Sequence, residues 1–277
     1  MAQQTPFMKN KAPGYKQAKA TGGFGETART IVYALLIALV VRTFAYEPFN
    51  IPSGSMTPTL LVGDYLFVSK FSYGYSRYSL PFGLPLFSGR ILSRTPQRGD
   101  VVVFKQPAHP SVDFIKRLIG LPGDKVQVIG GTLYINDAAA KRSYVGKYVD
   151  TENSRRFELQ LYEEALPDGV HHPILLQGIE GKPAAKDCAV NTFAANGEAE
   201  NTCAFMVPPD KYFMMGDNRD NSSDSRVDGS GVGFVPAENL VGRAEFIFFS
   251  TNGSAAWWEV WNWPFAIRYD RLLKAIR

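Results

Sequence analysis

The sequence is poor in the residues that build most metal centres and catalytic triads. Its 277 residues include three histidines and two cysteines. His109, His171 and His172 lie in proline-rich or irregular polar contexts, so a serine–histidine–aspartate triad has little support. Cys188 and Cys203 lack the spacing of metal ligands and have no histidine nearby, which disfavours a zinc site. We therefore expect no metal and no cofactor, and a nucleophile in this chain needs a base other than histidine.

Long apolar runs are also scarce, and only one is able to enter a membrane. Residues 31–41 contain no charged or strongly polar side chain, and the segment from Ala28 through Tyr46 reaches roughly the 17–20 residues that a span requires. No small-x-small cleavage site follows this segment. We therefore expect an uncleaved transmembrane signal anchor over residues 28–46.

The excess positive charge lies around the start of this run. Four lysines and one arginine against one glutamate in the first 29 residues account for the net charge of +4. Basic residues beside an apolar span are typical of a cytoplasmic flank, not of a nucleic-acid-binding patch. We expect residues 1–27 to form a basic cytoplasmic tail, the chain after about Tyr46 to lie on the far side of the membrane, and nucleic acid not to be a partner.

Two further segments are candidates for contact with lipid. Residues 257–277 carry all four tryptophans and then a basic tail, a composition that suits the membrane–water interface. A buried aromatic cluster that closes the core is the alternative for this segment. Leu80–Leu86, together with Phe87, contains prolines and a glycine that disfavour a central strand, so it is a second candidate surface loop.

Strand signals dominate the chain after the anchor, and helical periodicity is confined to the last ten residues. Two of the predicted strands are joined by Gly130 and Gly131, which favours a hairpin. This pattern predicts a mainly β fold in which an antiparallel β-sheet domain carries an inserted subdomain and follows one N-terminal transmembrane helix. The predicted strands cover residues 64–68, 101–104, 125–129, 132–135, 211–215 and 244–249.

The composition changes between residues 138 and 208, which become polar and lose periodicity. We expect an inserted subdomain there, carrying less of the chemistry than the main β domain of residues 47–137 and 209–277. This segment contains Cys188 and Cys203, which in an exported domain readily form a disulfide. Such a bridge would add roughly 3 kcal/mol of stability, and two unrelated thiols are the alternative.

A candidate nucleophile lies about ten residues past the apolar run, in Pro52-Ser53-Gly54-Ser55-Met56. Ser55 stands in a glycine-containing turn near the anchor, but a serine hydroxyl needs a base near neutral pH. In the strand pattern of residues 113–119, Lys116 shares a face with Phe114 and Leu118. Apolar neighbours lower a lysine pKa, and a fall of about two units to near 8 corresponds to roughly 3 kcal/mol. A solvated strand lysine is the alternative.

A polar loop over residues 216–226, GDNRDNSSDSR, is the third candidate element. Its short polar and charged side chains favour a rigid, hydrogen-bonded loop. A calcium loop does not fit, because Arg226 falls where a ligand is needed after Asp224 and the required glycine and final glutamate are missing. The glycines of residues 229–233 do not fit a dinucleotide fingerprint, because no long helix is predicted after them.

Four blocks in this order resemble the bacterial type I signal peptidases, or leader peptidases. They are IPSGSMTPTL at 51–60, RGDVVVFK at 98–105, DFIKRLIGLPGD at 113–124 and GDNRDNSSDSR at 216–226, with GFVPAENLVGRA at 233–244 extending the last. The resemblance does not cover the insertion or the C-terminus. Some members of the family have two N-terminal spans where this chain shows one, but the expected orientation of the catalytic domain is the same.

The resemblance implies a role for each matching residue. Ser55 matches the nucleophile and Lys116 the general base of a serine–lysine dyad. Ser53 matches the serine whose hydroxyl joins the Ser55 backbone N–H in the oxyanion hole. Ser222 matches the serine that orients the lysine amine.

The resemblance also implies a supporting ion pair and a substrate groove. Asp224 and Arg226 match an ion pair that supports the polar loop, with Arg117 as a further candidate member. Substrate would bind as an added β-strand. The positions matching the pockets for the small residues at −1 and −3 of a signal peptide are Phe49, Ile51, Met56, Leu60, Val103, Phe114 and Ile115.

The leading hypothesis is a serine endopeptidase of the bacterial plasma membrane that removes signal peptides from exported preproteins. Its expected partners are those signal peptides and the phospholipid membrane. A self-cleaving repressor-type protease shares the dyad, but it would carry a DNA-binding helix-turn-helix where this chain has the apolar run. An anchored β-rich scaffold, in which the serine turn is only a turn, is the non-enzymatic alternative.

Overall fold

The computed structural model describes residues 24–80, 83, 87–152, 155–177, 188–193, 199–227, 229, 231–256 and 258–277. Val40–Arg277 forms one compact unit, and the preceding residues form another. Most of the candidate loop Leu80–Leu86 lies outside the described residues, as does the tail before Phe24.

The first helix, α1 (Phe24–Phe44), is long and apolar enough to cross a membrane, and its side chains are exposed except that of Thr43. It begins before Ala28 and ends two residues before the predicted end at Tyr46. Pro48 disfavours a helical conformation at Glu47, and Tyr46–Asn50 instead pairs as a strand with residues 65–69. An exposed apolar helix of this length indicates membrane anchoring.

The described chain after this helix is mainly strand, with one short helix, α2 (Trp263–Ala266). The prediction of a mainly β, antiparallel fold after one apolar helix is confirmed. The strands are β1 (Tyr46–Asn50), β2 (Asp64–Ser69), β3 (Tyr75–Ser76), β4 (Arg90–Ile91), β5 (Val101–Lys105), β6 (Asp113–Gly120), β7 (Lys125–Ile129), β8 (Thr132–Ile135), β9 (Ala138–Ala139), β10 (Lys141–Glu152), β11 (Arg155–Ala165), β12 (His171–Leu176), β13 (Phe205–Met206), β14 (Lys211–Met215), β15 (Val235–Pro236), β16 (Leu240–Ser250) and β17 (Lys274–Ala275).

The largest sheet has the strand order β1-β2-β16-β5-β6-β14-β15, with β17 also paired to β16. Core side chains cover both faces of this sheet near β5. Val101 and Val103 pack in one apolar cluster, whereas Val102 and Phe104 pack in another. The uninterrupted apolar run of β5 follows from this burial on both faces, since neither face needs polar residues.

Residues 138–208 contain more regular structure than their sequence predicts. Strands β10, β11 and β12 form a three-stranded antiparallel sheet, and β13 pairs with β7 in the sheet that also contains the predicted hairpin of β7 and β8. Cys188 and Cys203 form a disulfide with a Cα–Cα distance of 5.7 Å.

The last ten residues do not form the helix that their periodicity predicts. Arg271 is buried because it pairs with the buried Asp64, and β17 pairs with β16 at Phe246 and Ile247. Tertiary pairing thus overrides the local helical pattern. The described tryptophans of this segment, Trp258, Trp261 and Trp263, are exposed, so the alternative of a buried aromatic cluster is wrong for these three.

Candidate active site

The turn that carries Ser55 is a single 3-10 turn, Gly54–Met56. The side chain of Met56 is fully buried below it, and Ser55 itself is 8% exposed. Asn218 of the polar loop holds the backbone of this turn through two hydrogen bonds. Its N–H donates to the Ser55 carbonyl at 3.1 Å, and its side-chain amide donates to the Gly54 carbonyl at 3.1 Å. Two hydrogen bonds from one residue therefore fix the position of the candidate nucleophile.

Lys116 lies on β6 and points toward this turn. Its Nζ donates to Ser55 Oγ at 2.5 Å, and the lysine is 3% exposed. The ring of Phe114 lies 5.4 Å from Nζ. The structure thus brings together two side chains that stand 61 residues apart in the sequence.

Burial is the main cause that lowers the pKa of Lys116 to about 8. The carboxylates of Asp224 and Asp217 oppose this shift, and the guanidinium of Arg226 adds to it. A lysine with this pKa is partly neutral near pH 8, so it can accept a proton from a hydroxyl that lies within hydrogen-bond distance. The geometry and the pKa together make Lys116 a candidate base for Ser55.

Asp224 and Arg226 form the ion pair that the resemblance implies. Arg226 donates through Nε and Nη2 to the two carboxylate oxygens at 2.9 and 2.8 Å, and both residues are at most 1% exposed. The N–H of Gly216 donates to the same carboxylate at 3.0 Å. Burial opposes ionisation of Asp224, but these donors hold its pKa below the ordinary value. The pair therefore fixes the two ends of the loop to each other.

Arg117 does not join that pair. It is fully buried and makes a two-pronged contact with Asp217, through Nε at 2.8 Å and Nη2 at 2.7 Å. Thr59, which follows the serine turn, donates to the same carboxylate at 2.5 Å. Asp217 was not singled out by the sequence, although it lies in the polar loop. It links the residue after Lys116 to the segment after Ser55.

Two residues from the segment 138–208, Glu164 and His172, also support the site, and no sequence pattern indicated them. Glu164 of β11 pairs with Arg219 of the polar loop, and both are buried. His172 of β12 lies 3.4 Å from Glu164 and 3.9 Å from Asp217. Burial, with the nearby Arg117, lowers the pKa of His172 to about 4, so this histidine is neutral at physiological pH. It acts as buried scaffolding beside the dyad.

Ser53 and Ser222 lie close to the dyad but differ in exposure. Ser53 is exposed and lines the cleft beside Ser55. Ser222 Oγ is buried and has no hydrogen-bond partner within the part of the chain that the structure describes. A Cβ on Gly216 would lie 2.3 Å from Ser222 Oγ and 2.5 Å from the Ser55 carbonyl oxygen. Only glycine therefore fits between the two serines, and the predicted bond from Lys116 to Ser222 is not made.

The seven predicted pocket residues occupy two kinds of position. Met56, Leu60, Ile51 and Val103 are 0–3% exposed within one apolar cluster, against which Phe49 and Ile115 also pack. Phe114 lines the cleft itself. Their contact with a substrate stays a prediction.

A cleft of about 700 Å³ opens over the dyad. In the described part of the chain, no group of three or more histidine, cysteine, aspartate or glutamate side chains is placed to hold a metal ion. The cleft is lined by Pro52, Ser53, Gly54, Ser55, Val62, Phe114, Lys116, Asn221, Ser223, Asn252 and Arg268.

Comparisons with known proteins identify the family. A family model described as signal peptidase, peptidase S26, matches residues 24–249. The signal peptidase I of Rickettsia typhi is 45% identical over 233 residues, which are 83% of this chain and 81% of the relative. That of Rickettsia massiliae is 46% identical over 233 residues, 83% and 80% of the two chains. A crystal structure of a signal peptidase I from Enterococcus faecalis V583 is 27% identical and covers 54% of this chain and 97% of that chain, with a TM-score of 0.29.

These matches do not support the alternative of a non-enzymatic scaffold. The family model spans most of the chain, and the two relatives share nearly half of the aligned residues with it. The chain therefore belongs to the signal peptidase family of serine peptidases, peptidase S26.

Proposed function

We propose that this chain is a membrane-anchored endopeptidase that cleaves signal peptides from exported preproteins, with Ser55 as nucleophile and Lys116 as general base. The observation that carries the proposal is the 2.5 Å contact between Lys116 Nζ and Ser55 Oγ in a buried setting. Family membership supports the substrate class, because the relatives are named signal peptidases.

The substrate binds as an added strand beside β6. On one side of β6, residues 113–117 pair with β5. On the other side, β14 pairs only with Arg117, Leu118 and Gly120, so the edge of residues 113–116 has no strand partner among the described residues. An extended peptide that pairs with this edge places its scissile carbonyl near Ser55.

The reaction then proceeds in two stages, acylation of Ser55 and hydrolysis of the acyl-enzyme. Neutral Lys116 removes the proton from Ser55 Oγ while this oxygen attacks the scissile carbonyl carbon. The Ser55 N–H and the Ser53 hydroxyl donate to the oxyanion that forms. Protonated Lys116 then gives its proton to the leaving amine, which releases the mature protein and leaves an acyl-enzyme. Lys116 next deprotonates a water that attacks the ester, which releases the signal peptide and restores Ser55.

Small pockets set the cleavage site. We assign the −1 and −3 subsites to the apolar cluster of Ile51, Met56, Leu60 and Val103 with Phe49 and Ile115, and to Phe114 in the cleft lining. We expect these subsites to admit alanine-sized residues and to exclude larger ones sterically. We also propose that Ser222 orients the amine of Lys116 when the buried hydroxyl of Ser222 turns toward Lys116 Nζ.

The location follows from the anchor. We propose a single-pass protein of the bacterial plasma membrane with residues 1–27 cytoplasmic and the catalytic domain extracytoplasmic. The disulfide of Cys188 and Cys203 fits an oxidising compartment. The exposed Trp258, Trp261 and Trp263 fit the membrane–water interface, where a membrane-inserted substrate is concentrated.

The test is cleavage of a purified preprotein by the full chain in detergent, with mass spectrometry of the products. We expect one cut after an Ala-x-Ala sequence, no cut when the −1 or −3 alanine is replaced by leucine, and no cut by Ser55→Ala. Ser93→Ala, which changes an exposed serine outside the cleft, is the matched control and should cleave normally. A cut at unrelated positions, or full activity of Ser55→Ala, refutes the proposal.

A further inference from the structure

The charged residues that line the cleft all carry basic side chains. Among the lining residues that the structure describes, two are cationic, Lys116 and Arg268, and none is acidic. Lys116 must be neutral to act as a base, so it contributes no charge when the enzyme is ready to react. Arg268 is then the remaining cation of the lining.

Arg268 is fixed at one edge of its guanidinium and open at the other. Its Nη1 donates to the Val62 carbonyl at 3.0 Å and to Ser250 Oγ at 3.3 Å. Within the described residues, Nε and Nη2 have no acceptor, and the side chain is 25% exposed. The Arg268 N–H also donates to the Ser250 carbonyl at 3.0 Å, which holds the backbone in place.

The nearest carboxylate to Arg268, that of Asp64, is shared with Arg271. Asp64 Oδ1 lies 3.8 Å from Arg268 Nη1, beyond hydrogen-bond distance. The same carboxylate already accepts two hydrogen bonds from Arg271, at 3.0 Å from Nε and 2.5 Å from Nη2. One buried carboxylate therefore serves two guanidinium groups, and the positive charge in excess faces the cleft.

A second donor lies in the same part of the lining. The Asn252 side chain accepts from the Ser254 N–H through Oδ1, and within the described chain its Nδ2 has no partner. The Asn252 N–H donates to the Ala266 carbonyl, and Thr251 pairs with Ile267, so Asn252 and Arg268 are held on neighbouring segments. Both follow residue 249, where the match of the family model ends.

We propose that Arg268, with Asn252, forms a subsite that binds an acidic side chain of the substrate close to the scissile bond. This inference rests on the proposed function and adds a substrate preference to it. A carboxylate suits the planar guanidinium, which can donate two parallel hydrogen bonds through Nε and Nη2. A lysine or arginine of the substrate at the same place would meet like charge with no lining carboxylate to compensate it.

The test measures how substrate charge changes cleavage by the full chain in detergent. A neutral Ala-x-Ala peptide is prepared with aspartate, asparagine or lysine at one position at a time, from −5 to +5 except −1 and −3. The ratio of kcat/KM for aspartate over asparagine is compared among wild type, Arg268→Gln and Arg268→Glu. Arg94→Glu, at an exposed arginine outside the cleft, is the matched control.

We expect one or two positions at which wild type prefers aspartate over asparagine by about tenfold, the low end for a hydrogen bond to a charged group because Arg268 is partly exposed. Arg268→Gln should bring this ratio to about one, Arg268→Glu should prefer lysine, and Arg94→Glu should behave as wild type. An unfolding temperature of Arg268→Gln close to that of wild type confirms that the variant is folded. If the glutamate variant does not fold, the glutamine variant alone decides.

The inference is overturned if wild type cleaves the neutral peptide without any preference for acid, or if Arg268→Gln keeps the preference. In both cases the proposed function stands, because the neutral peptide is cut. Failure of wild type to cut any peptide refutes the proposed function instead. Reconstitution in vesicles separates a lipid role: if Arg268→Gln lowers cleavage of every peptide in phosphatidylglycerol vesicles but not in phosphatidylcholine vesicles, and leaves every peptide ratio unchanged, Arg268 serves a lipid headgroup and the inference is wrong.

Discussion

Lys116 is expected to give cleavage a pH dependence that an ordinary lysine cannot produce. The amine is buried against Phe114 and donates to Ser55 Oγ at 2.5 Å, and burial lowers its pKa to about 8. Only the neutral amine can remove the serine proton. With other steps constant, kcat/KM should therefore follow the neutral fraction of Lys116 as the pH changes.

The magnitude follows from the shift. With a pKa of about 8, roughly a tenth of Lys116 is neutral at pH 7, half at pH 8 and nine tenths at pH 9. We expect kcat/KM to rise about tenfold from pH 7 to pH 9 and then to level off. A lysine at the ordinary value of 10.5 would instead let the rate rise about tenfold for each pH unit up to pH 10.

The assay is cleavage of a peptide without titratable side chains by the full chain in detergent, from pH 6 to pH 10. Recovery of full activity after return to pH 8 controls for denaturation. A profile that is flat over this range, or one that still rises tenfold per unit at pH 10, would refute the assignment of Lys116 as a buried base.

The same shift has a consequence for stability that does not depend on catalysis. The folded pKa of Lys116 lies below the unfolded one, so the folded state resists protonation. The resulting destabilisation is complete below about pH 8, shrinks between pH 8 and 10.5 and is absent above 10.5. Its full size is about 3 kcal/mol. Lys116→Met should therefore raise the unfolding temperature at pH 7 and lose this advantage near pH 10.5; an equal gain at both pH values would contradict the account.

Three further outcomes follow from the supporting structure. Asp224→Asn leaves the buried Arg226 without its carboxylate and should cost about 3–5 kcal/mol, seen as a lower unfolding temperature; an unchanged temperature would be evidence against the ion pair. Replacing Cys188 and Cys203 together by serine should cost about 3 kcal/mol in thermal unfolding, and reduction of wild type should have the same effect. Trp261→Ser should slow cleavage of a membrane-inserted preprotein in phospholipid vesicles and leave cleavage of a soluble peptide unchanged, whereas equal cleavage of the preprotein would contradict an interfacial role.

The dyad could be predicted from the sequence because its determinants are local. A glycine-containing turn near the apolar run marks Ser55, and strand alternation places Lys116 on the face of Phe114 and Leu118. Most of the strands of the main sheet, and the hairpin of β7 and β8 in a second sheet, could be predicted for the same reason, since β-branched runs and a two-glycine turn act over a few residues.

The supporting contacts could not be predicted in this way because they depend on register and on long-range packing. Arg117 lies on the opposite face from Lys116, but only the fold shows that it meets Asp217, 100 residues later. Glu164 and His172 lie in a polar segment without a clear pattern, and they become buried only because β11 and β12 pack against the polar loop. A buried charged side chain looks the same in sequence as a solvated one until its partner is known.

The central claim, that Ser55 and Lys116 act as one catalytic unit, is tested most directly by a double-mutant cycle. Ser55→Ala, Lys116→Ala and the double variant are compared in kcat/KM for preprotein cleavage, with Lys211→Ala, an exposed strand lysine, as control. We predict a loss of at least about a thousandfold in each single variant, no further loss in the double variant and wild-type activity in the control. Wild-type activity in either single variant, or losses that multiply in the double variant, would contradict the claim.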